Sequence, residues 1–344
     1  MKYTNQISEY IIDLELPEYR RWQDVIKKEK KIAKRLCKDA IADIDAVGPS
    51  PLIRKFMSSI LKNTYCYGGG LYTEEMQSWS DALNMSLSDI VLVNCTYELS
   101  HLENISIFGC TAGIKYVPNL GMVHVRNMDW PIASIGPATR IFRFKKKSRE
   151  FISVGLPGKV SVISGMLPGK YSVTINWAPS NFRPSFDFGP SFLLRDVLES
   201  CDSYDEAVSY LSGTSLSSHV FYTVCGSKKG EGCIIERTKS SYNIREWTGG
   251  VLTQANHFEG KFKSHNHSLN LLEEDDDPDT ETAYEDSVNR AETLKESLAI
   301  KKVTKISDLR KALNISPVQN EESHQQMIFI PNKGEYKIWA SRPK

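Results

Sequence analysis

Apolar positions fall into two regimes along the chain. Over roughly the first hundred residues they recur at helical spacing. Ile32, Ala33 and Leu36 lie within Lys27–Lys38 at steps that suit a helix with one covered face. A second helix is predicted at Ser86-Leu87-Ser88-Asp89, where Ser86 can cap the free amides and Asp89 opposes the positive end of the dipole. Leu87, Ile90, Val91 and Tyr97 then fall at core-facing spacings. From about residue 107 the pattern shortens into β-rich segments separated by Gly and Pro. Thr111–Val117 and Met122–Arg126 flank Pro118-Asn119-Leu120-Gly121, a hairpin signal. Further strands are predicted at Phe151–Val154, Lys159–Ser164, Tyr171–Asn176, Val220–Cys225 and Cys233–Arg237. Met327–Ile330 and Tyr336–Ala340 read as a closing pair around Asn332-Lys333-Gly334. Residues 190–211, 287–298 and 306–313 read as helical, with Pro190 suited to a first turn. This pattern predicts an α+β protein, with a mainly helical region over 1–109 and a strand-rich domain over 110–344.

Composition narrows the functions. Forty-three basic residues against 42 acidic ones leave a net charge of +1, so no nucleic-acid surface is expected. Seven cysteines with no CxxC pair and no His at zinc spacing argue against a disulfide scaffold or a structural metal. Cys225 and Cys233 are expected to face each other across a turn. The acidic run Glu273-Glu274-Asp275-Asp276-Asp277 lacks EF-hand spacing and reads as an exposed loop. Gly68-Gly69-Gly70 lacks the Lys of a phosphate loop, and no metal or cofactor is expected. Acidic residues interrupt the apolar runs near the N-terminus, so neither a signal peptide nor a membrane span is expected there, and the expected location is cytoplasmic. The basic amphipathic stretch Lys27–Lys38 is a candidate for transient contact with a membrane or lipid surface.

Hairpin geometry brings out one cysteine. A turn centred on residues 118–121 sets Cys110 opposite Asn127–Asp129. Arg126 and Asp129 then stand within one or two residues of the thiol. A guanidinium there lowers the cost of a thiolate, the reactive form, and Asp129 can orient that arginine or accept a hydrogen bond from an amine at Cys110. His124 and His257 suggest a weaker alternative, a papain-like Cys-His pair.

Gly109-Cys110-Thr111 followed at offset sixteen by Arg126-Asn127-Met128-Asp129 resembles the N-terminal-nucleophile cysteine hydrolases. That superfamily includes choloylglycine hydrolases, penicillin V acylases, acid ceramidase, N-acylethanolamine acid amidase and the isopenicillin N acyltransferases. Thr174-Ile175-Asn176 is similar to its central asparagine strand, Thr253-Gln254-Ala255-Asn256-His257-Phe258 to its oxyanion-hole segment, and Asp286-Ser287-Val288-Asn289-Arg290 to the D-S-x-x-R pattern of its bile-salt branch. Upstream, Met85-Ser86-Leu87-Ser88-Asp89 through Tyr97-Glu98 and Leu16-Pro17-Glu18-Tyr19-Arg20-Arg21-Trp22 resemble the lipid-amidase branch. Cys110-Thr111-Ala112-Gly113 departs from that branch's Cys-Thr-Ser and looks closer to the penicillin acyltransferases.

The resemblance implies a four-layer αββα sandwich preceded by a helical region. It also implies self-cleavage between Gly109 and Cys110, which frees an α-amine to act as base beside its own thiol. Cys110, Arg126, Asp129, Asn176, Asn256 and Arg290 are the implied catalytic set, with the second arginine position shared between Arg290 and a residue near Asp286. Asn256 is the implied oxyanion donor. The implied substrate is a small N-acyl amide, fatty or ceramide-like, with Trp130, Trp177 and Phe182 as candidate walls, and the two fragments are expected to stay together. Transfer of the same acyl group to an amine and a non-catalytic binding role are the alternatives.

Overall fold

The computed structural model describes residues 2–47, 71–99, 109–179, 187–270, 282–300 and 303–342. The Gly triplet at 68–70, the acidic run at 273–277 and Phe182 lie outside them. In chain order the described strands are β1 (Lys2–Thr4), β2 (Glu9–Asp13), β3 (Cys110–Val117), β4 (Gly121–Asp129), β5 (Arg140–Lys146), β6 (Arg149–Gly155) and β7 (Ser164–Leu167). Then come β8 (Tyr171–Trp177), β9 (Val220–Gly226), β10 (Gly232–Arg237), β11 (Tyr242–Glu246), β12 (Val251–Gln254), β13 (Ser323–Ile330) and β14 (Glu335–Arg342).

Two sheets form. One runs β1-β14-β13-β4-β3-β12 and is antiparallel throughout, and the other runs β11-β10-β9-β8-β7-β6-β5-β2, with only the β2–β5 pair parallel. The sheets stack with β3 and β4 against β8 and β9. Helices Ala283–Ala299 and Ile306–Leu313 cover the outer face of the first sheet, and Pro190–Ser200 and Tyr204–Gly213 that of the second. These are the four αββα layers. The middle strands are buried on both sides, which is why β8 and β9 read as unbroken buried runs rather than alternating ones.

Helices Gln23–Val47, Thr73–Leu83 and Leu87–Asn94 join the layer over the second sheet. Ser86 caps the last of these by accepting the Asp89 N–H at 3.1 Å. Trp22 packs edge-on against Phe142 and Phe144 of β5, with ring centres 5.0 and 5.8 Å apart. Glu75, fully buried, holds Arg195 of helix Pro190–Ser200 through both carboxylate oxygens at 2.7 Å. Removing either partner would strand a buried charge, at a cost of about 3–5 kcal/mol. Residues 2–13 do not belong to the helical layer at all: β1 and β2 form an edge of each sheet.

Three local expectations are corrected. Lys159–Ser164 is no strand before Ser164, because its backbone is used elsewhere: Val160 N–H donates to Asn94 Oδ1 and Val162 N–H to the Ser191 carbonyl. Residues 190–211 form two helices, the second capped by Ser203. Cys225 pairs with Gly232 and Cys233 with Val224, so the two thiols lie on opposite faces of the sheet and cannot bond. All six described cysteines are buried, and Cys37, Cys110, Cys201, Cys225 and Cys233 carry free thiols. No described helix is long and apolar enough to cross a membrane.

Candidate active site

The β3–β4 hairpin turns at Pro118–Leu120, and Gly121 takes the positive φ of +91° that the turn requires. Its register places Cys110 opposite Met128, within the predicted window. Arg126, two residues away on the same face of β4, therefore reaches the thiol, and its Nη2 donates to Cys110 Sγ at 3.0 Å. The guanidinium is held from behind by the Ser164 hydroxyl and the Ile175 carbonyl, both accepting from it. Burial raises the thiol pKa above its ordinary value, and the Arg126 charge pulls the other way. Cys110 is thus a shielded thiol with a cation at hydrogen-bond distance that would favour its thiolate.

The peptide joining Gly109 to Cys110 is clamped at both ends. The Gly109 carbonyl accepts the Asp129 N–H at 2.8 Å, and the Cys110 N–H donates to Asn256 Oδ1 at 3.0 Å. A side chain at 109 would meet Asp129 Cβ at 3.0 Å and Oδ2 at 3.1 Å, which explains why glycine stands there. The Asp129 carboxylate is fully buried and accepts from Ser323 Oγ at 2.6 Å and, more weakly, from Asn320 Nδ2 at 3.4 Å. Burial raises its pKa, against the opposing pull of Arg290, Ser323, Asn320 and Arg126.

Arg290 enters from helix Ala283–Ala299. Its Nη1 donates to the Cys110 carbonyl at 2.9 Å and to Thr111 Oγ1 at 3.0 Å, and its Nη2 to Asn256 Oδ1 at 3.0 Å. Asp286 Oδ2, one turn earlier, accepts from its Nε at 2.7 Å. Of the two candidates, Arg290 is the side chain that reaches Cys110, and Asp286 aims it. Asn176 Nδ2 lies within reach of three carbonyls, those of Cys110, Gln254 and Ala255, at 3.2, 3.0 and 3.0 Å. It ties β8 of one sheet to β3 and the end of β12 in the other.

Asn256 differs from expectation. Its amide nitrogen donates to the Trp177 carbonyl at 2.9 Å, while its oxygen receives the Cys110 N–H. With its oxygen on the Cys110 N–H and its nitrogen on a backbone carbonyl, the side chain holds the Cys110 peptide nitrogen and offers no free donor at the thiol. Trp177 is also reassigned. It is buried in the core, contributes its backbone carbonyl to Asn256, and does not line the cavity at the thiol. Trp130 does line it. That cavity is small and partly open to solvent, and lies between Tyr97, Cys110, Arg126, Met128, Trp130, Lys159, Ile163 and Ile175. The Lys159 ammonium sits 5.3 Å from the Trp130 ring centre and donates to Thr96 Oγ1 at 2.7 Å.

The Cys-His alternative fails on placement. His124 lies opposite Ile114 and is held by Ser172 Oγ at 3.0 Å and Thr174 Oγ1 at 3.1 Å. His257 is held through Nδ1 by Ser287 Oγ at 2.8 Å. Burial pushes their pKa values down to about 3 and about 4. Sequence reading missed the groups that orient the site: Ser164, Ser287, Asn320 and Ser323. Only Ser287 had a signal, its place in the Asp286–Arg290 motif. Among the described residues no cluster of metal-ligating side chains occurs.

The chain is similar to several known proteins. A family model described as acyl-coenzyme A:6-aminopenicillanic acid acyl-transferase matches residues 121–325, a span that starts downstream of Cys110 and contains the other five site residues. Acid ceramidase of Heterocephalus glaber is 27% identical over 271 residues, covering 71% of this chain and 67% of that protein. The Homo sapiens acid ceramidase is 26% identical over the same shares. Among solved structures, the Caenorhabditis elegans N-acylethanolamine-hydrolyzing acid amidase (NAAA) ortholog superposes with a TM-score of 0.53 at 23% identity, over 68% of this chain and 100% of that one. That likeness shows the shared fold.

Proposed function

The chain belongs to the acyl-coenzyme A:6-aminopenicillanic acid acyl-transferase family and is an N-terminal-nucleophile cysteine amidase, and from that premise we propose that it activates itself by cutting between Gly109 and Cys110 and then hydrolyses fatty N-acyl amides. The observation that carries this reading is the clamp on the Gly109–Cys110 peptide beside a thiol that already touches Arg126.

Self-cleavage starts with loss of the thiol proton and attack of Cys110 Sγ on the Gly109 carbonyl carbon. Charge develops on the Gly109 oxygen, where the Asp129 N–H donates at 2.8 Å. The C–N bond breaks, the nitrogen takes up a proton, and the acyl group is left on sulfur as a thioester. Water opens that thioester to the Gly109 carboxylate, the thiol and a free α-amine. The amine has a reference pKa of roughly 7.7–8.0, near enough to neutrality to take the thiol proton in each later turnover.

On a substrate, the thiolate attacks the amide carbonyl, the amine of Cys110 returns the proton to the leaving nitrogen, and water hydrolyses the acyl-enzyme. Arg126 steadies the thiolate, Asp129 and the Asn256 oxygen hold the new amine, and Arg290 holds Asn256. An Asn256 side chain that turned its nitrogen toward the substrate after the cut would supply the oxyanion donor. The mostly apolar walls Tyr97, Met128, Trp130, Ile163 and Ile175 favour an alkyl acyl chain. The acid ceramidase relatives favour a lipid amide. The fragments are expected to stay associated, because Tyr97 donates to the Asn176 carbonyl across the cut at 2.9 Å and Glu75 holds Arg195.

A panel of N-acyl amides assayed on wild type and Cys110→Ala tests the reading, with intact mass read in parallel. Two fragments breaking at Gly109/Cys110 and release of free acid are expected from wild type only. A chain that stays whole and resists alkylation at Cys110 would sink it. The family description supports a second reading, transfer of the acyl group to an amine. Added amines that divert product from free acid to new amide would favour that reading.

A further inference from the structure

Asn256 bears on the Cys110 nitrogen, and something must keep Asn256 in place. Its backbone N–H donates to Ser287 Oγ at 2.8 Å, and Ser287 Oγ lies 2.8 Å from His257 Nδ1. Asn256, His257 and Ser287 are all buried. A hydroxyl carries one proton. With Ser287 Oγ receiving the Asn256 N–H, its own proton is free to go to His257 Nδ1, provided that nitrogen is bare. The ring proton then sits on Nε2, which faces the Glu259 carboxylate at 4.0 Å. The three bonds form a directed relay from the imidazole to the nitrogen of Cys110.

We propose that His257 is a positioning residue: its neutral ring accepts the Ser287 hydroxyl, holds that oxygen as an acceptor for Asn256, and so sets the Asn256 carbonyl against the amine of Cys110. This rests on the amidase reading above for its kinetic tests but not for its structural one. A proton on Nδ1 turns the ring into a donor. The Ser287 hydroxyl must then point elsewhere, and the relay loses its direction. The groups around the ring bear on when this happens. Arg245, Arg290 and Lys263 oppose a charge on it, as does burial, while Glu259 favours one. Glu292 and Lys295 line the same surface cleft, and Tyr284 packs edge-on against the ring at 5.7 Å. The net effect lowers the pKa to about 4, so the ring is neutral near pH 7 and the relay fails only in acid.

The tautomer is measurable without turnover. Ring nitrogen shifts of His257 in uncut Cys110→Ala protein are expected to show the proton on Nε2, and a proton on Nδ1 overturns the proposal. Kinetically, His257→Phe keeps a ring and removes the acceptor, and should lower kcat about tenfold with KM within about twofold. His257→Asn, whose oxygen can replace Nδ1, should recover most of kcat and lose the acid limb that ring protonation imposes. In a Ser287→Ala background His257→Phe should add nothing. Equal kcat in wild type and His257→Phe, an unchanged acid limb in His257→Asn, or additive losses in the double variant would each overturn it. Wild-type protein that releases no acid from any amide fails the amidase reading instead, and the ring shifts then decide the relay alone.

Discussion

The two ends of the β3–β4 hairpin each bring a buried cysteine against it, and only one of them is set up for chemistry. At the turn end, Cys225 of β9 packs against Ile114 and Met122. At the open end, Cys110 lies under Arg126 Nη2, with Arg290 on its carbonyl and Asn256 on its nitrogen. Burial raises both thiol pKa values. At Cys225 no positive charge among the described residues opposes that rise; the further contributions, from Cys233 and Glu231, add to it. At Cys110 a guanidinium stands at hydrogen-bond distance. Burial alone makes a thiol inert, whereas burial beside a fixed cation makes one that can be switched on when a base appears. His124 and Arg126 repeat the lesson on one strand: the histidine is satisfied by two hydroxyls, and the arginine donates an N–H to sulfur.

Exchange of each cysteine breaks the comparison most sharply. Cys110→Ala should abolish self-cleavage and cut amide turnover by at least about 10³-fold, leaving one chain by mass spectrometry. Cys225→Ala should cleave normally and lose only about 1 kcal/mol of stability in urea. A cut chain from Cys110→Ala would remove the cysteine from the mechanism. Next in size, Arg126→Met should lower kcat/KM about 10²–10³-fold and slow alkylation of Cys110 at pH 8. An alkylation rate equal to wild type would mean the guanidinium does nothing for the thiolate.

Acid should act on the whole fold. His124, His219 and His257 have folded pKa values lowered by burial to about 3, about 4 and about 4, below the ordinary value of about 6.5. Their contribution is fully present above the unfolded pKa. It is lost as pH falls toward the folded values, because the unfolded chain binds protons first. Each can cost up to about 1.4 kcal/mol per pH unit in that window. Urea midpoints that do not fall between pH 7 and pH 4.5 would contradict this. The smallest effect belongs to the turn. Gly121→Ala must adopt a φ of +91° and place Cβ 2.6 Å from Asn332 Nδ2, so about 1 kcal/mol of stability should go while cleavage of the chain continues.

Much of the fold was legible because its signals are local. The turn residues between two β-rich segments located β3 and β4, and Ser86 marked a helix start. Strands β1, β2, β5, β11 and β12 went unread, and β7 was touched only at Ser164. β1 and β2 are short edge strands that gain their partners, β14 and β5, only when distant segments arrive. Lys159–Val162 looked like a strand and is not one, since Asn94 and Ser191 take its backbone bonds.

The site divides along the same line. Local chemistry alone sets Cys110 opposite Asn127–Asp129 and near Arg126, because a turn fixes which residues face each other, and the folded register settles on Met128. Tertiary packing decides the rest. Asn256 and Arg290 reach Cys110 from 146 and 180 residues away, and Asn176 from 66. Whether a distant amide shows its oxygen or its nitrogen to the thiol, and whether a tryptophan lines the cavity or the core, depends on how the two sheets and a covering helix pack. No local period encodes that. Trp177 and the Asn256 side chain are where the difference appears: the motifs bring both near Cys110, and only the packed sheets turn one into the core and present the other's oxygen to the Cys110 N–H.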